Sequence, residues 1–213
     1  MKYRGIIFDL DGVICHTDKY HYKAWKQLAD RLDIYFDEQI NNRLRGVSRM
    51  DSLEIILERY AGAPLSQEEK VQLANEKNEI YKKLLMEMSS EDLSDEVKTT
   101  LENLRKLGLK LAIGSSSRNA RLILSRIGLE DFFDGISDGT NIEKSKPDPE
   151  VFIKAAAMVN LEPKECLVIE DAKAGIDAAH NGGMDSAGIG DAADYSLASY
   201  SLTRFSQITD LIF

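Results

Sequence analysis

Residues 3–15 read YRGIIFDLDGVIC, and this stretch decides the fold. Ile6, Ile7 and Phe8 make a short apolar run too brief for a helix, so residues 3–8 are expected to form a buried strand. The run ends abruptly in Asp9-Leu10-Asp11-Gly12, a polar loop whose glycine permits a sharp turn. A strand that stops at two aspartates places carboxylates at its carboxyl end, where open α/β sheets build their sites.

The chain then changes character. From Asp18 to about Leu32, Tyr22, Trp25, Leu28, Ala29 and Leu32 recur at helical spacing. Asp37 opens a further helix. Ser48 with Asp51, and Ser66 with Glu69, have capping-box spacing, the second pair ahead of a long helix that runs toward Met88. Residues 16–89 therefore read as an all-helical insert. Beyond Ser90, strands alternate with helices: Ser94–Leu107 helical, 109–114 (LKLAIG) a strand, 118–127 helical, 135–137 a short strand, 149–159 helical with Asp148 as N-cap and Pro149 first in the helix, 167–170 (LVIE) a strand, 172–181 helical, and 185–190 a last strand. Such alternation with short loops predicts a parallel sheet covered on both faces. The expected architecture is an α/β, Rossmann-like parallel-sheet core from residues 1–15 and 90–213, with the helical domain 16–89 inserted after the first strand.

Composition narrows the function. The 213 residues are 43% hydrophobic and 30% charged, with 27 basic and 36 acidic side chains and a formal net charge of −9. A net negative surface repels nucleic acid and anionic membranes, so neither is an expected partner. No stretch reaches the roughly 20 apolar residues of a membrane span. Cys15 and Cys166 are far apart and form no CxxC pair, which fits a reducing, cytoplasmic setting. A monomer is expected.

Three strand ends carry chemistry. An ionised Asp9 can attack phosphorus and carry the phosphoryl group as an aspartyl phosphate. Asp11, two residues on, can deliver and remove a proton if it is kept partly neutral. Glu170 and Asp171 follow the apolar LVI, and adjacent acids of like charge call for a cation among them. Mg²⁺, which takes few carboxylates along with waters and phosphate oxygens, suits Asp9, Asp171 and Glu170. Ser115, Ser116 and Ser117, with Arg118 and Asn119 at a helix start, offer hydroxyls and N–H groups to a phosphate. Lys146 can neutralise phosphoryl oxygens as charge builds. Each piece has a plainer alternative: an Asp-Gly turn, an N-cap by Asp171 beside a solvated Glu170, a single capping serine, a solvated loop lysine. Their order along the chain is what gives them weight.

In that order the motifs DLDGV (9–13), Ser115, KPDP (146–149) and ED (170–171) resemble the haloacid dehalogenase superfamily of aspartate-dependent phosphatases and phosphomutases. The helical insert resembles that superfamily's cap. DGVICHTDKYHYKAW (11–25), RGVSRMDSL (45–53), EKN (76–78), GSSSRNA (114–120), SKPDP (145–149) and IEDAKAGI (169–176) further resemble the β-phosphoglucomutases. The resemblance implies interconversion of β-D-glucose 1-phosphate and D-glucose 6-phosphate through β-D-glucose 1,6-bisphosphate. It implies Asp9 as nucleophile, Asp11 as acid–base, and Mg²⁺ held by Asp9, the Asp11 carbonyl, Glu170 and Asp171. It implies Ser115 and Lys146 on the transferred phosphoryl group, and Arg49, Ser117, Arg118 and Asn119 on the other phosphate. Gly46, Val47, Ser52, His21 and Lys77 would line or tune the sugar site, with Trp25 packed near it and Thr17 at the hinge. Arg49 opens a helix from a Gly-Val-Ser-Arg loop, where anion binding is natural. A mutase needs that second cationic site, and Arg is suited to bidentate phosphate contacts. His16 departs from the acidic residue the family usually carries there, and the tail 191–213 matches poorly and is expected to affect packing more than catalysis. The competing readings are a sugar-phosphate phosphatase on the same core and a non-catalytic binding module.

Overall fold

The apolar run of the first strand lies in the middle of a sheet rather than at its edge. In a computed structural model, which describes residues 1–44 and 48–213, strand β1 (Gly5–Phe8) pairs in parallel with β2 (Lys110–Gly114) on one side and β4 (Cys166–Glu170) on the other. β3 (Gly135–Ser137) continues the sheet beyond β2, and β5 (Asp185–Gly188) and β6 (Tyr200–Ser201) continue it beyond β4. The order is β3-β2-β1-β4-β5-β6, parallel throughout. Parallel strands buried on both faces need continuous apolar runs, and Ile6, Ile7, Phe8, Leu167, Val168 and Ile169 are all fully buried.

Alternation along β1 sends neighbouring side chains to opposite faces. Ile7 joins Val168 in a cluster with Val151, Phe152, Ala155 and Ala156 of helix α7 (Glu150–Met158) and Ala178 and Ala179 of α8 (Lys173–Asn181). Phe8 lies on the other face, stacked on Phe205 at a ring-centroid distance of 5.7 Å and meeting Phe133 edge-on at 6.2 Å. Two further helices of this unit are α5 (Asp95–Lys106), capped by Ser94, and α6 (Ala120–Arg126).

Residues 1–16 with 88–213 form one compact unit and residues 17–87 another. The second unit is all-helical. α1 (Asp18–Arg31) packs along α4 (Gln67–Leu85), with α2 (Glu38–Asn42) and α3 (Arg49–Leu57) between them in sequence. Its core gathers Trp25, Leu28, Ile34, Phe36, Leu53 and Ile56, among others. The caps fall at the expected serines and aspartate: Asp37 accepts from the Ile40 N–H, Ser48 from Asp51, and Ser66 with Glu69 closes a reciprocal box. Among the described residues, no helix is long and apolar enough to cross a membrane.

Several local expectations need correction. α7 begins at Glu150, one residue later than expected: Pro149 occupies the N-cap position, and Asp148 accepts the Glu150 N–H at 3.0 Å. α6 begins at Ala120 rather than at Arg118, and β5 ends at Gly188. The tail is more organised than its sequence suggests. It supplies β6, and a 3₁₀ helix, Phe205–Leu211, that packs on α5 and buries Phe205 and Ile208. The Lys2 N–H closes the chain onto the Ile212 carbonyl at 2.9 Å.

The tail therefore belongs to the core. Phe205→Ala removes the ring stacked on Phe8 and is expected to cost about 3–5 kcal/mol, the usual range for a buried aromatic. Urea denaturation of the two proteins measures it, and an unchanged midpoint would contradict this packing role.

Candidate active site

A parallel sheet delivers every strand's carboxyl end to the same edge, so residues far apart in sequence meet there. β1 hands over to Asp9, whose N–H still donates to the Ile169 carbonyl at 2.9 Å and so continues the ladder past the strand. β4 ends in Glu170, followed by Asp171. Asp9, Glu170 and Asp171 each present a carboxylate oxygen, and these three oxygens lie within 4.8 Å of one another.

The ammonium of Lys146 sits within this group, 2.5 Å from Asp9 Oδ1 and 2.5 Å from Glu170 Oε1. Its side chain is 10% exposed, those of Asp9 and Glu170 11% and 1%. The Lys146 Nζ also lies 4.7 Å from the centre of the Phe152 ring. The plainer readings of a solvated lysine and a solvated Glu170 are thus overturned. Asp171 is not the cap of α8 either, since Ala172 holds the N-cap position. Glu170 instead accepts the Ala172 N–H at 2.9 Å.

The electrostatics follow from three acids around one ammonium. Burial pushes the Asp9 carboxyl well above the usual carboxylate range; Lys146 opposes this, while Glu170 and Asp171 add to it. Burial disfavours the Lys146 charge, but Asp9 and Glu170 outweigh it and hold the ammonium above its ordinary value. With all four groups ionised, the cluster carries a net negative charge away from bulk water. A divalent cation among the carboxylates supplies the missing positive charge, and an all-oxygen donor set suits a hard ion. The residues therefore fit a divalent metal.

Two glycines make room for the acids, and motif reading alone does not weigh them. Gly12 has a φ of +85°, and a Cβ there would come within 2.0 Å of Asp171 Oδ2. A Cβ on Gly175 would come within 1.9 Å of Glu170 Oε1. Each carboxylate thus rests on bare backbone, one in the loop after Asp9, the other in the first turn of α8.

Ser115 follows β2 and is buried. Its N–H donates to the Ser137 carbonyl at 3.0 Å, and its Oγ accepts the Ser117 N–H at 3.2 Å, leaving the hydroxyl proton to donate elsewhere. Ser117 Oγ in turn accepts the Asn119 N–H at 3.2 Å. Ser116 Oγ is buried with no hydrogen-bond partner among the described residues. Arg118 is exposed and Asn119 buried. Asp11 is partly buried, its backbone bridged to Cys15.

The remaining predicted residues belong to the helical unit. Lys77 is 3% exposed, its Nζ 2.9 Å from His21 Nδ1, 4.6 Å from the Trp25 ring centre and 4.7 Å from that of Tyr81. Burial first, then the charges of Lys77 and Arg49, hold His21 well below the usual histidine range. Nδ1 of a neutral imidazole can accept from the ammonium. Arg49 is the first residue of α3, Ser52 is buried in its next turn, and Thr17 is buried at the N-cap of α1, where its side chain makes no capping bond. Gly46 and Val47 lie outside the described residues.

Two outcomes are expected. Calorimetry with Mg²⁺ or Mn²⁺ should give one site per chain and a raised melting temperature, both lost in Asp171→Asn; unchanged binding in that variant would remove Asp171 from the site. For His21, the folded pKa lies below the unfolded value near 6.5, so its stabilisation is full above that pH. It is lost as pH falls below 6.5 toward the folded value, with a slope of at most about 1.4 kcal/mol per unit. Urea unfolding from pH 7.5 to 5.5 should show a shallower decline for His21→Gln than for the native chain, and parallel declines would contradict a buried neutral imidazole.

Known proteins match this chain over most of its length. The sequence is 41% identical over 208 residues to the β-phosphoglucomutase of Bacillus subtilis, covering 97% of this chain and 92% of that protein. It is 29% identical over 183 residues to a phosphorylated carbohydrates phosphatase of Thermotoga maritima, covering 85% and 82%. The crystal structure of a β-phosphoglucomutase from Clostridium difficile superposes with a TM-score of 0.86 at 38% identity, covering 97% of this chain and 93% of that one. The sequence model of the haloacid dehalogenase-like hydrolases matches residues 3–183, which span β1, every carboxylate of the site and Lys146. With that match over most of its length, this chain belongs to the haloacid dehalogenase-like hydrolase family.

Proposed function

We propose that this chain is a β-phosphoglucomutase, interconverting β-D-glucose 1-phosphate and D-glucose 6-phosphate through an aspartyl-phosphate enzyme and β-D-glucose 1,6-bisphosphate. The observation that carries the chemistry is the buried Asp9 carboxylate, grouped with Glu170 and Asp171 and hydrogen-bonded to Lys146. The likeness over 97% of the chain to the B. subtilis protein favours the mutase over the phosphatase.

Asp9 forms a bond from its carboxylate oxygen to phosphorus as the bond from phosphorus to the departing oxygen breaks. Asp11 donates a proton to that oxygen, and later takes one from the sugar hydroxyl that accepts the phosphoryl group back. Lys146 and the Ser115 hydroxyl hold the phosphoryl oxygens in place and offset their charge. Ser117, Arg118 and Asn119 bind the phosphate that does not react, a role the family resemblance also gives to Arg49. His21, Lys77 and Ser52 serve sugar recognition, and buried Trp25 orders Lys77 from one side. Asp9, Glu170, Asp171 and the Asp11 carbonyl would hold Mg²⁺, which when bound would screen the carboxylates and phosphoryl oxygens from one another. The cytoplasm is the expected setting and a monomer the expected form.

A coupled assay tests this reading. With β-glucose 1-phosphate, Mg²⁺ and a trace of the bisphosphate, glucose 6-phosphate should accumulate with little free phosphate. Free phosphate equal to substrate consumed would instead assign a phosphatase, and no turnover of either kind would favour a binding module. Asp9→Asn should abolish turnover, and Asp11→Asn should lower kcat by about 10²–10⁴-fold, the usual weight of a general acid–base group.

A further inference from the structure

The segment 141–147 that carries Lys146 belongs to no strand or helix, yet it must present one ammonium to two carboxylates 2.5 Å away. Its anchors come from the first turns of α7. Glu150 Oε2 accepts the backbone N–H of Glu143 at 3.0 Å and of Lys144 at 2.8 Å. Glu150 Oε1 accepts from Lys154 Nζ at 2.5 Å, and the same Nζ donates to the Asn141 carbonyl at 2.6 Å. Three backbone groups of the loop, on residues 141, 143 and 144, are thus tied to one i,i+4 pair on a helix whose inner face is locked into the core. Ile142 packs against that core between the tied residues. Beyond Lys146, the Asn181 side chain donates to the Pro147 carbonyl at 3.2 Å, so the loop is held at both ends.

We propose that Glu150 and Lys154 are positioning residues that act on phosphoryl transfer through Lys146. The inference rests on the reading of Lys146 as a group on the transferred phosphoryl. Lys154 and the backbone N–H groups of Lys144 and Glu143 pull the Glu150 carboxyl down to about 2, so the clamp stays charged throughout the working pH range. Its members are partly exposed, the Glu150 side chain 20% and that of Lys154 42%. An exposed ion pair contributes little to global stability. A displacement of about 1 Å in a group that must meet a phosphoryl oxygen, by contrast, can cost about 10²-fold in rate. The clamp therefore has a signature that a purely structural pair lacks: a large effect on rate with a small effect on melting.

The test is a double-mutant cycle on the magnesium-loaded enzyme, reading the single-turnover rate of Asp9 phosphorylation by β-glucose 1,6-bisphosphate, KM for β-glucose 1-phosphate, and the melting temperature. Glu150→Ala is expected to slow phosphorylation by about 10- to 100-fold with little change in KM or melting. Glu150→Gln, which keeps an oxygen for the two N–H groups, should recover part of that rate and stands in if the alanine variant folds poorly. Lys154→Met should lose less than Glu150→Ala. In a Lys146→Ala background, adding Glu150→Ala should cost nothing more. An undiminished rate in Glu150→Ala overturns the proposal, and so does a full, additive loss in the Lys146→Ala background, which would mark a structural role. Undiminished phosphorylation in Lys146→Ala alone would instead overturn the reading of Lys146 on which the clamp depends.

Discussion

A single ammonium shared by two buried carboxylates, with a third acid beside them, organises this molecule. Lys146 lies 2.5 Å from both Asp9 and Glu170, and Asp171 completes the group. Burying charge is costly unless it is paired, and removing one partner of a buried pair typically costs about 3–5 kcal/mol. Much of the surrounding fold serves to bring these charges together and keep them there. Asp9 and Glu170, remote in sequence, meet because β1 and β4 are adjacent and parallel. Gly12 and Gly175 are bare where Asp171 and Glu170 rest. The loop that bears Lys146 is pinned by a salt-bridged pair on α7.

The same arrangement suits phosphoryl transfer. Burial and the neighbouring acids Glu170 and Asp171 disfavour an ionised Asp9, while the Lys146 ammonium favours it, and a cation bound among the acids would do so further. In the proposed reaction the incoming phosphoryl group is itself anionic, so the positive charge that favours an ionised Asp9 would also attract the substrate. In the helical unit the polarity is reversed. There Lys77 is buried against the rings of Trp25 and Tyr81 and beside His21, whose burial favours the neutral imidazole.

Much of this was legible in the residues because the local signals agreed. The run Ile6–Phe8 ending at Asp9, and Leu167–Ile169 ending at Glu170, are short apolar strands that stop at acids, and parallel pairing then fixes where the acids meet. Ser48, Ser66 and Ser94 mark helix starts by side-chain hydrogen bonds that depend only on neighbours three residues away. What escaped was non-local. Tyr200–Ser201 is too short to show alternation, and it pairs only because β5 offers an edge. Phe205 declares its place through a stack on Phe8, nearly the whole chain away. Glu150 reads as an ordinary acid in the first turn of a helix, and only the folded loop reveals the two N–H groups it holds. Gly175 looks like a helix glycine until the Glu170 carboxylate is seen against it.

The claim at the centre is that Asp9 carries the phosphoryl group. Intact-protein mass spectrometry after brief reaction with β-glucose 1,6-bisphosphate and Mg²⁺ tests it most directly. The account predicts one added phosphoryl group, labile to hydroxylamine as an acyl phosphate is, mapping to the peptide that contains Asp9 and missing from Asp9→Asn. A phosphoryl group on any other residue, or none during active turnover, would contradict it.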